Sequence, residues 1–226
     1  MTSAEIYLLT LIPMAYLMGS IPFGLIVGLA NGVDPRKSGS GNIGATNVGR
    51  LLGAKFFLYV FLLDMLKAML PTAIGSWVVW HYGQHATARP TLQVILHLLV
   101  GFSAILGHMF SLFLGFKGGK GVACGAGVAL GFYPFFTLPG LATLLLWGIL
   151  FALTRYVSLA SIVAAVFFPL AYLTIALTRH WRPFTSQLPL LIFATLVGAM
   201  VVYRHRSNIA RLRAGTEPRF VKKPPA

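Results

Sequence analysis

From residue 6 to residue 30 the chain carries no charged side chain, and a run of that length reaches across the roughly 30 Å hydrocarbon core of a bilayer as a helix. In lipid a backbone must satisfy its hydrogen bonds within its own segment, so such a run folds as a helix there. Similar runs recur at about 51–79, 91–114, 156–178 and 188–203. Hydrophobic residues make up 57% of the chain, charged residues 10%, and the mean hydropathy is +0.80. That is more apolar surface than a soluble core of 226 residues hides. The expectation is therefore an all-α, polytopic integral membrane bundle.

The stretch 122–154 is the ambiguous part: about 33 residues hold either two short spans or a re-entrant pair, with Gly131, Pro134, Pro139 and Gly140 marking the reversal. Pro13 and Pro22 are expected to kink the first span, where Gly19, Ser20 and Gly24 offer a small-residue packing face. The N-terminus lacks the basic region of a cleavable signal, so the first helix reads as retained.

Eighteen Lys and Arg against four Asp and Glu give a net charge of +14. In a membrane protein that excess reports topology and anionic headgroups. The aromatic residues lie inside the apolar runs, so no base-stacking surface for nucleic acid forms. Placing Arg36, Lys37, Arg50, Lys55, Lys117, Lys120, Arg155 and the basic tail 204–226 on one side leaves only Arg89, Arg179 and Arg182 opposite. Seven crossings, N-terminus out and C-terminus in, satisfy this. The lone Cys124 excludes an internal disulfide and a cysteine metal cluster, and reads as a small buried apolar residue.

Two polar connectors carry the chemistry. The segment Gly115-Phe116-Lys117-Gly118-Gly119-Lys120-Gly121 joins two apolar runs. Its glycines permit positive φ and let N–H groups converge on a phosphate beside a lysine. It is not a Walker A loop, since Leu114 stands where the first glycine belongs and Gly121 follows Lys120. A tight, positively charged turn remains the alternative. The segment 38–50 alternates glycine with Ser40, Asn42, Thr46 and Asn47 and ends in Arg50, a forked donor suited to phosphate. A solvated linker would look similar, but both connectors are expected to face one compartment, which implies two phosphorylated ligands or one held at both ends.

Four motifs, Ser40-Gly41-Asn42-Ile43-Gly44-Ala45-Thr46-Asn47, the stretch from Gly107-His108 through Gly118-Gly119-Lys120-Gly121-Val122-Ala123, Arg155-Tyr156-Val157-Ser158-Leu159 and His205-Arg206-Ser207-Asn208-Ile209-Ala210-Arg211-Leu212, resemble in order the motifs of the bacterial acyl-phosphate:glycerol-3-phosphate acyltransferases, the PlsY family. Cys124 stands where that family often has Thr. The resemblance covers essentially the whole chain. It implies one seven-helix enzyme domain in the bacterial inner membrane, with its active site on the cytoplasmic face. The implied reaction moves an acyl chain from acyl phosphate to the sn-1 hydroxyl of glycerol 3-phosphate, giving lysophosphatidate for phospholipid synthesis without cofactor or metal.

By the same resemblance Ser40, Arg50, Lys120, His205 and Asn208 serve catalysis or substrate binding, and the Gly118, Gly119 and Gly121 backbone holds phosphate. Asn42, Thr46, Asn47, Arg155 and Ser158 complete the expected substrate contacts, Ser158 being equally suited to cap a helix. His108 is either a general base or a helix-end histidine donating to a backbone carbonyl. Asp64 and Lys67, three apart within a span, read first as an intrahelical pair. His81, His85, His97 and His180 show no ligand geometry.

An acyl phosphate is already an activated carbonyl, so cations, aligned N–H groups and a positioned hydroxyl suffice. The soluble glycerolipid acyltransferases need His-x4-Asp, yet the six corresponding positions are Ala86, Pro90, Phe102, Phe113, Thr185 and Ala210. Two aspartates, Asp34 and Asp64, are too few for a multi-aspartate metal site. A transporter of a phosphorylated metabolite, or a lipid-associated scaffold, are the alternatives.

Overall fold

The computed structural model describes residues 1–83 and 90–220. Ten α-helices and one 3-10 turn are found there, with no strand among the described residues: α1 (Ser3–Ser20), α2 (Phe23–Ala30), α3 (Ala45–Leu52), α4 (Ala54–Tyr82), α5 (Pro90–Met109), the turn Leu112–Leu114, α6 (Val122–Gly131), α7 (Thr137–Thr154), α8 (Val157–Thr178), α9 (Leu188–Arg204) and α10 (Arg206–Arg213). A capping box starts α1: Glu5 N–H donates to Thr2 Oγ1 at 3.3 Å and Thr2 N–H to Glu5 Oε2 at 3.0 Å.

The first span passes through Pro13 unbroken and breaks at Ile21-Pro22, because the residue before a proline leaves the α region and the proline lacks an N–H. Lys67 of α4 donates to the Ile21 carbonyl at 2.6 Å. The second span starts later than expected, since Gly53 at φ 110° separates α3 from α4, and α4 continues to Tyr82, past the expected end near residue 79. Arg89 and His85 lie outside the described residues.

Small residues set the packing, as expected in lipid, where close backbone approach replaces the hydrophobic effect between helices. A Cβ on Gly19 would lie 2.2 Å from the Ala104 carbonyl oxygen, and one on Gly107 would lie 2.2 Å from that of Tyr16, so α1 and α5 touch backbone to backbone. A Cβ on Gly127 would lie 2.0 Å from the Met65 carbonyl oxygen, which presses α6 onto α4. Cys124 is buried and donates to the Asp64 carbonyl at 3.1 Å.

Five spans, with α1 and α2 counted as one, are long and apolar enough to cross a membrane, and the pair α9–α10, bent by 57°, makes six. The stretch 122–154 holds one full-length helix, α7, and one short one, α6, whose 10 residues rise about 15 Å. A count of seven includes this half-length helix. Reversal between them falls at 132–136, and Pro139 and Gly140 lie inside the start of α7.

The C-terminal segment is more than a basic tail. After α10 it returns across the bundle end, where Phe220 N–H donates to the Arg155 carbonyl at 2.8 Å and the Phe220 ring packs on Phe57 and Phe151. Glu217 and Phe220 are buried. Lys222 and Lys223 lie outside the described residues.

Candidate active site

The connector 38–50 is built around one side chain. Asn47 Oδ1 accepts the Ser40 N–H at 2.9 Å, and Nδ2 lies 2.9, 3.0 and 2.8 Å from the carbonyl oxygens of Pro35, Ser38 and Asn42. Asn42 Oδ1 accepts the Gly44 N–H at 2.8 Å, an Asx turn that leads into α3. Asn47, expected among the substrate contacts, thus uses both ends of its amide to shape the loop.

The connector 115–121 is held from outside. Gly119 N–H donates to the His108 carbonyl at 3.0 Å, and Arg204 Nη2 donates to the carbonyls of Gly118 and Gly119 at 3.1 and 2.7 Å. Gly118 and Gly119 consequently lie outside the cleft described next, and of the expected glycine cradle only Gly121 lines it. Gly121, at φ 85°, is the N-cap of α6.

Both connectors open on one polar cleft of about 760 Å³, partly open to the surroundings. Ser40, Asn42, Thr46, Asn47, Arg50, His108, Lys120, Gly121, Ser158, His205 and Asn208 all line it. Arg155 does not: it takes the left-handed position ending α7, at φ 62°, and is exposed. Four helices, α3, α6, α8 and α10, begin at this cleft, and none has a side-chain cap. First-turn N–H groups without intrahelical partners and the positive ends of four helix dipoles thus face one space.

Lys120 Nζ donates to Asn208 Oδ1 at 2.5 Å, and Asn208 Nδ2 donates to Glu217 Oε1 at 2.8 Å. Glu217 also accepts from Ser158 Oγ at 2.8 Å and Arg211 Nε at 2.7 Å, with Arg50 Nη2 at 4.0 Å. These hydrogen bonds outweigh burial and hold the Glu217 carboxyl below the usual range. Burial, reinforced by Arg211, Arg50 and Arg204 against the pull of Glu217, lowers Lys120 to about 8. Arg50 donates to the Pro218 carbonyl at 2.8 Å, and its buried Nε has no partner among the described residues.

Glu217 and Arg211 were not singled out from sequence. A signal existed: Glu217 is one of four acidic residues in the chain and sits alone among the arginines of the tail.

The two histidines of the cleft present opposite faces. Lys67 Nζ lies 2.6 Å from Asp64 Oδ1 and 3.2 Å from His108 Nδ1, which is 3.7 Å from the same carboxylate oxygen. Nδ1 of His108 therefore faces the Lys67–Asp64 pair, and the expected contact with a backbone carbonyl is not made among the described residues. His205 Nδ1 lies 2.7 Å from the Val201 carbonyl oxygen, which places its proton there and leaves the Nε2 lone pair free.

An apolar cleft of about 710 Å³ adjoins the polar one, and Phe61, Gly121, Val122, Trp147 and Ser161 line both.

Comparison with known proteins gives a consistent picture. The family model described as glycerol-3-phosphate acyltransferase matches residues 9–215. Glycerol-3-phosphate acyltransferases of Trichlorobacter lovleyi and Geobacter sulfurreducens are each 44% identical to this chain, over 91% and 94% of it and 94% and 97% of their own lengths. The crystal structure of PlsY, an integral membrane glycerol 3-phosphate acyltransferase, is similar in its glycerol 3-phosphate form at a TM-score of 0.78 and 41% identity, covering 95% of this chain and 96% of that one. Its lysophosphatidic acid form gives a TM-score of 0.75 at 40% identity, covering 94% of each chain.

Proposed function

Because this chain belongs to the glycerol-3-phosphate acyltransferase family of integral membrane enzymes, the PlsY family, we propose that it uses acyl phosphate as donor and acylates the sn-1 hydroxyl of glycerol 3-phosphate. The observation that carries this reading is the junction of the two clefts. A space ringed by four uncapped helix N-termini, Lys120 and Arg50 suits two phosphates. The apolar space continuous with it suits the fatty chain.

In the reaction the glycerol oxygen attacks the acyl carbonyl carbon, forming the ester bond. The bond from that carbon to the phosphate oxygen breaks, and inorganic phosphate leaves. The hydroxyl proton passes to His205 Nε2, the ring nitrogen with a free lone pair, and from there to the departing phosphate. Lys120 and the N–H groups beginning α6 stabilise charge developing on the carbonyl and leaving oxygens. Glu217 orients Asn208, Ser158 and Arg211, and Asn208 in turn fixes Lys120. No acyl-enzyme is needed.

The basic connectors support a site on the cytoplasmic face of a bacterial inner membrane, in a single membrane-embedded domain with the N-terminus out, the C-terminus in and seven crossings counting α6. Interfacial attraction of Lys and Arg to anionic headgroups supports that sidedness.

Purified protein in lipid vesicles should convert palmitoyl phosphate and glycerol 3-phosphate to lysophosphatidate and phosphate, and should not use palmitoyl coenzyme A or palmitoyl acyl carrier protein. Lys120→Ala should lower kcat/KM by about 10²–10³-fold, whereas Arg155→Ala, outside the cleft, should stay within about twofold of the parent, as surface changes usually do. Turnover confined to the thioester donors would refute the donor assignment.

A further inference from the structure

Most glycines of this bundle have a packing reason. In the walls of the apolar cleft, a Cβ on Gly198 would lie 2.5 Å from the Ala165 carbonyl oxygen and one on Gly140 would lie 2.9 Å from Ala129 Cβ. Gly125 differs. It sits inside α6 and lines the same cleft, and a Cβ built there meets nothing within 4 Å. Glycine is among the poorest helix formers, so position 125 forgoes helix propensity without gaining a contact. What the missing side chain leaves is open cleft.

The geometry is that of a slot partly open to its surroundings. At the mouth are Gly121 and Trp147, shared with the polar site. Ala126 and Ala129 of α6 and Ala164 of α8 keep the walls thin. At the far end Phe136, fully buried, packs at ring-centroid distances of 5.3 Å from Phe168 and 5.8 Å from Phe193. Phe132 and Tyr172 back it at 5.0 and 5.3 Å. Along α6 the path from Gly121 to Ala129 is about 12 Å, with Gly125 at half depth.

We propose that this slot measures the acyl chain, with Gly125 holding its middle open and the Phe136, Phe168 and Phe193 cluster forming its floor. The proposal rests on the acyl phosphate reading, and it commits to the donor's acyl chain as occupant because the slot is continuous with the site that holds the reacting carbonyl. A chain longer than the slot must bend out at the floor and loses contact there. A side chain at position 125 moves the obstruction halfway to the mouth.

The test compares kcat/KM for octanoyl, dodecanoyl, palmitoyl and eicosanoyl phosphate in the vesicle-embedded enzyme and two variants of opposite sign, with thermal unfolding to confirm folding. Gly125→Leu should lower the palmitoyl-to-octanoyl ratio by at least about tenfold, the size of discrimination a few methylenes support in an apolar pocket. Gly125→Ala should shift the ratio in the same direction by less. Phe168→Ala, which removes part of the floor and leaves the fully buried Phe136 in place, should raise the eicosanoyl-to-palmitoyl ratio about threefold or more. If every folded variant keeps the parent's chain-length profile, the slot holds something else, such as a bilayer lipid tail, and the proposal is overturned. A parent enzyme that turns over no acyl phosphate of any length would instead remove the donor reading, and the ruler with it, before any variant is compared.

Discussion

The connectors 38–50 and 115–121 are both rich in glycine, the first with Ser, Asn and Thr and the second with Lys, and they are held in different ways. The first is tied from within: Asn47 binds groups of Pro35, Ser38, Ser40 and Asn42, all within 12 positions. The second is tied from afar, by Arg204 at 85 and 86 positions and by Asn208 at 88. A loop with its own internal brace forms as soon as its neighbours are helical. The other has a local tie from Gly119 N–H to the His108 carbonyl, but its Gly118 and Gly119 carbonyls and its Lys120 ammonium are held by α9 and α10.

Three experiments probe that contrast. Asn47→Leu, near in volume but unable to hydrogen-bond, should have the largest effect: activity about 10²-fold lower, with helical content retained and stability reduced by about 1–3 kcal/mol for each buried group left unpaired. Activity within about fivefold of the parent would show that the first loop is not internally braced. Arg204→Met should act more gently, raising KM for the phosphate substrates about tenfold with a smaller change in kcat, as loss of charge-assisted bonds that shape a site without touching the reacting atoms. Arg204→Lys should recover part of it, and an unchanged KM would sever the proposed long-range tie.

Near neutral pH the smallest effect is that of pH itself. Lys120, lowered to about 8 chiefly by burial, loses its proton, and with it its charge, as pH rises through that value. In the free enzyme kcat/KM should therefore fall by about twofold from pH 7 to pH 8 and about tenfold per unit beyond. Lys120→Arg, charged throughout, should remove that limb. A profile flat to pH 10 in the parent would show that the lysine's charge is not what binds phosphate.

Much of this molecule was legible in its residues. The apolar runs located the spans because bilayer thickness sets a length and lipid permits only internally bonded backbone, and Gly19 and Gly24, expected on a small-residue packing face, lie against the Ala104 and Ile43 carbonyls. Eleven of the fourteen residues singled out from the sequence line one cleft. Arg155, Gly118 and Gly119 do not, because whether a loop residue faces a site depends on the turn it occupies: Arg155 ends a helix in a left-handed conformation, and the two glycine carbonyls are claimed by Arg204.

Residue order alone determined that the chain is a helical membrane protein, roughly where it bends, and which polar side chains could act, since hydropathy, proline and glycine operate locally. Tertiary structure decided which lone pairs and charges are free to do so. Lys67 and Asp64 occupy one side of His108, the Val201 carbonyl orients His205 Nδ1, and the returning C-terminal segment brings Glu217 beneath Asn208. Hydrogen bonds between elements far apart in sequence leave no periodic trace along it, and here they set the chemistry.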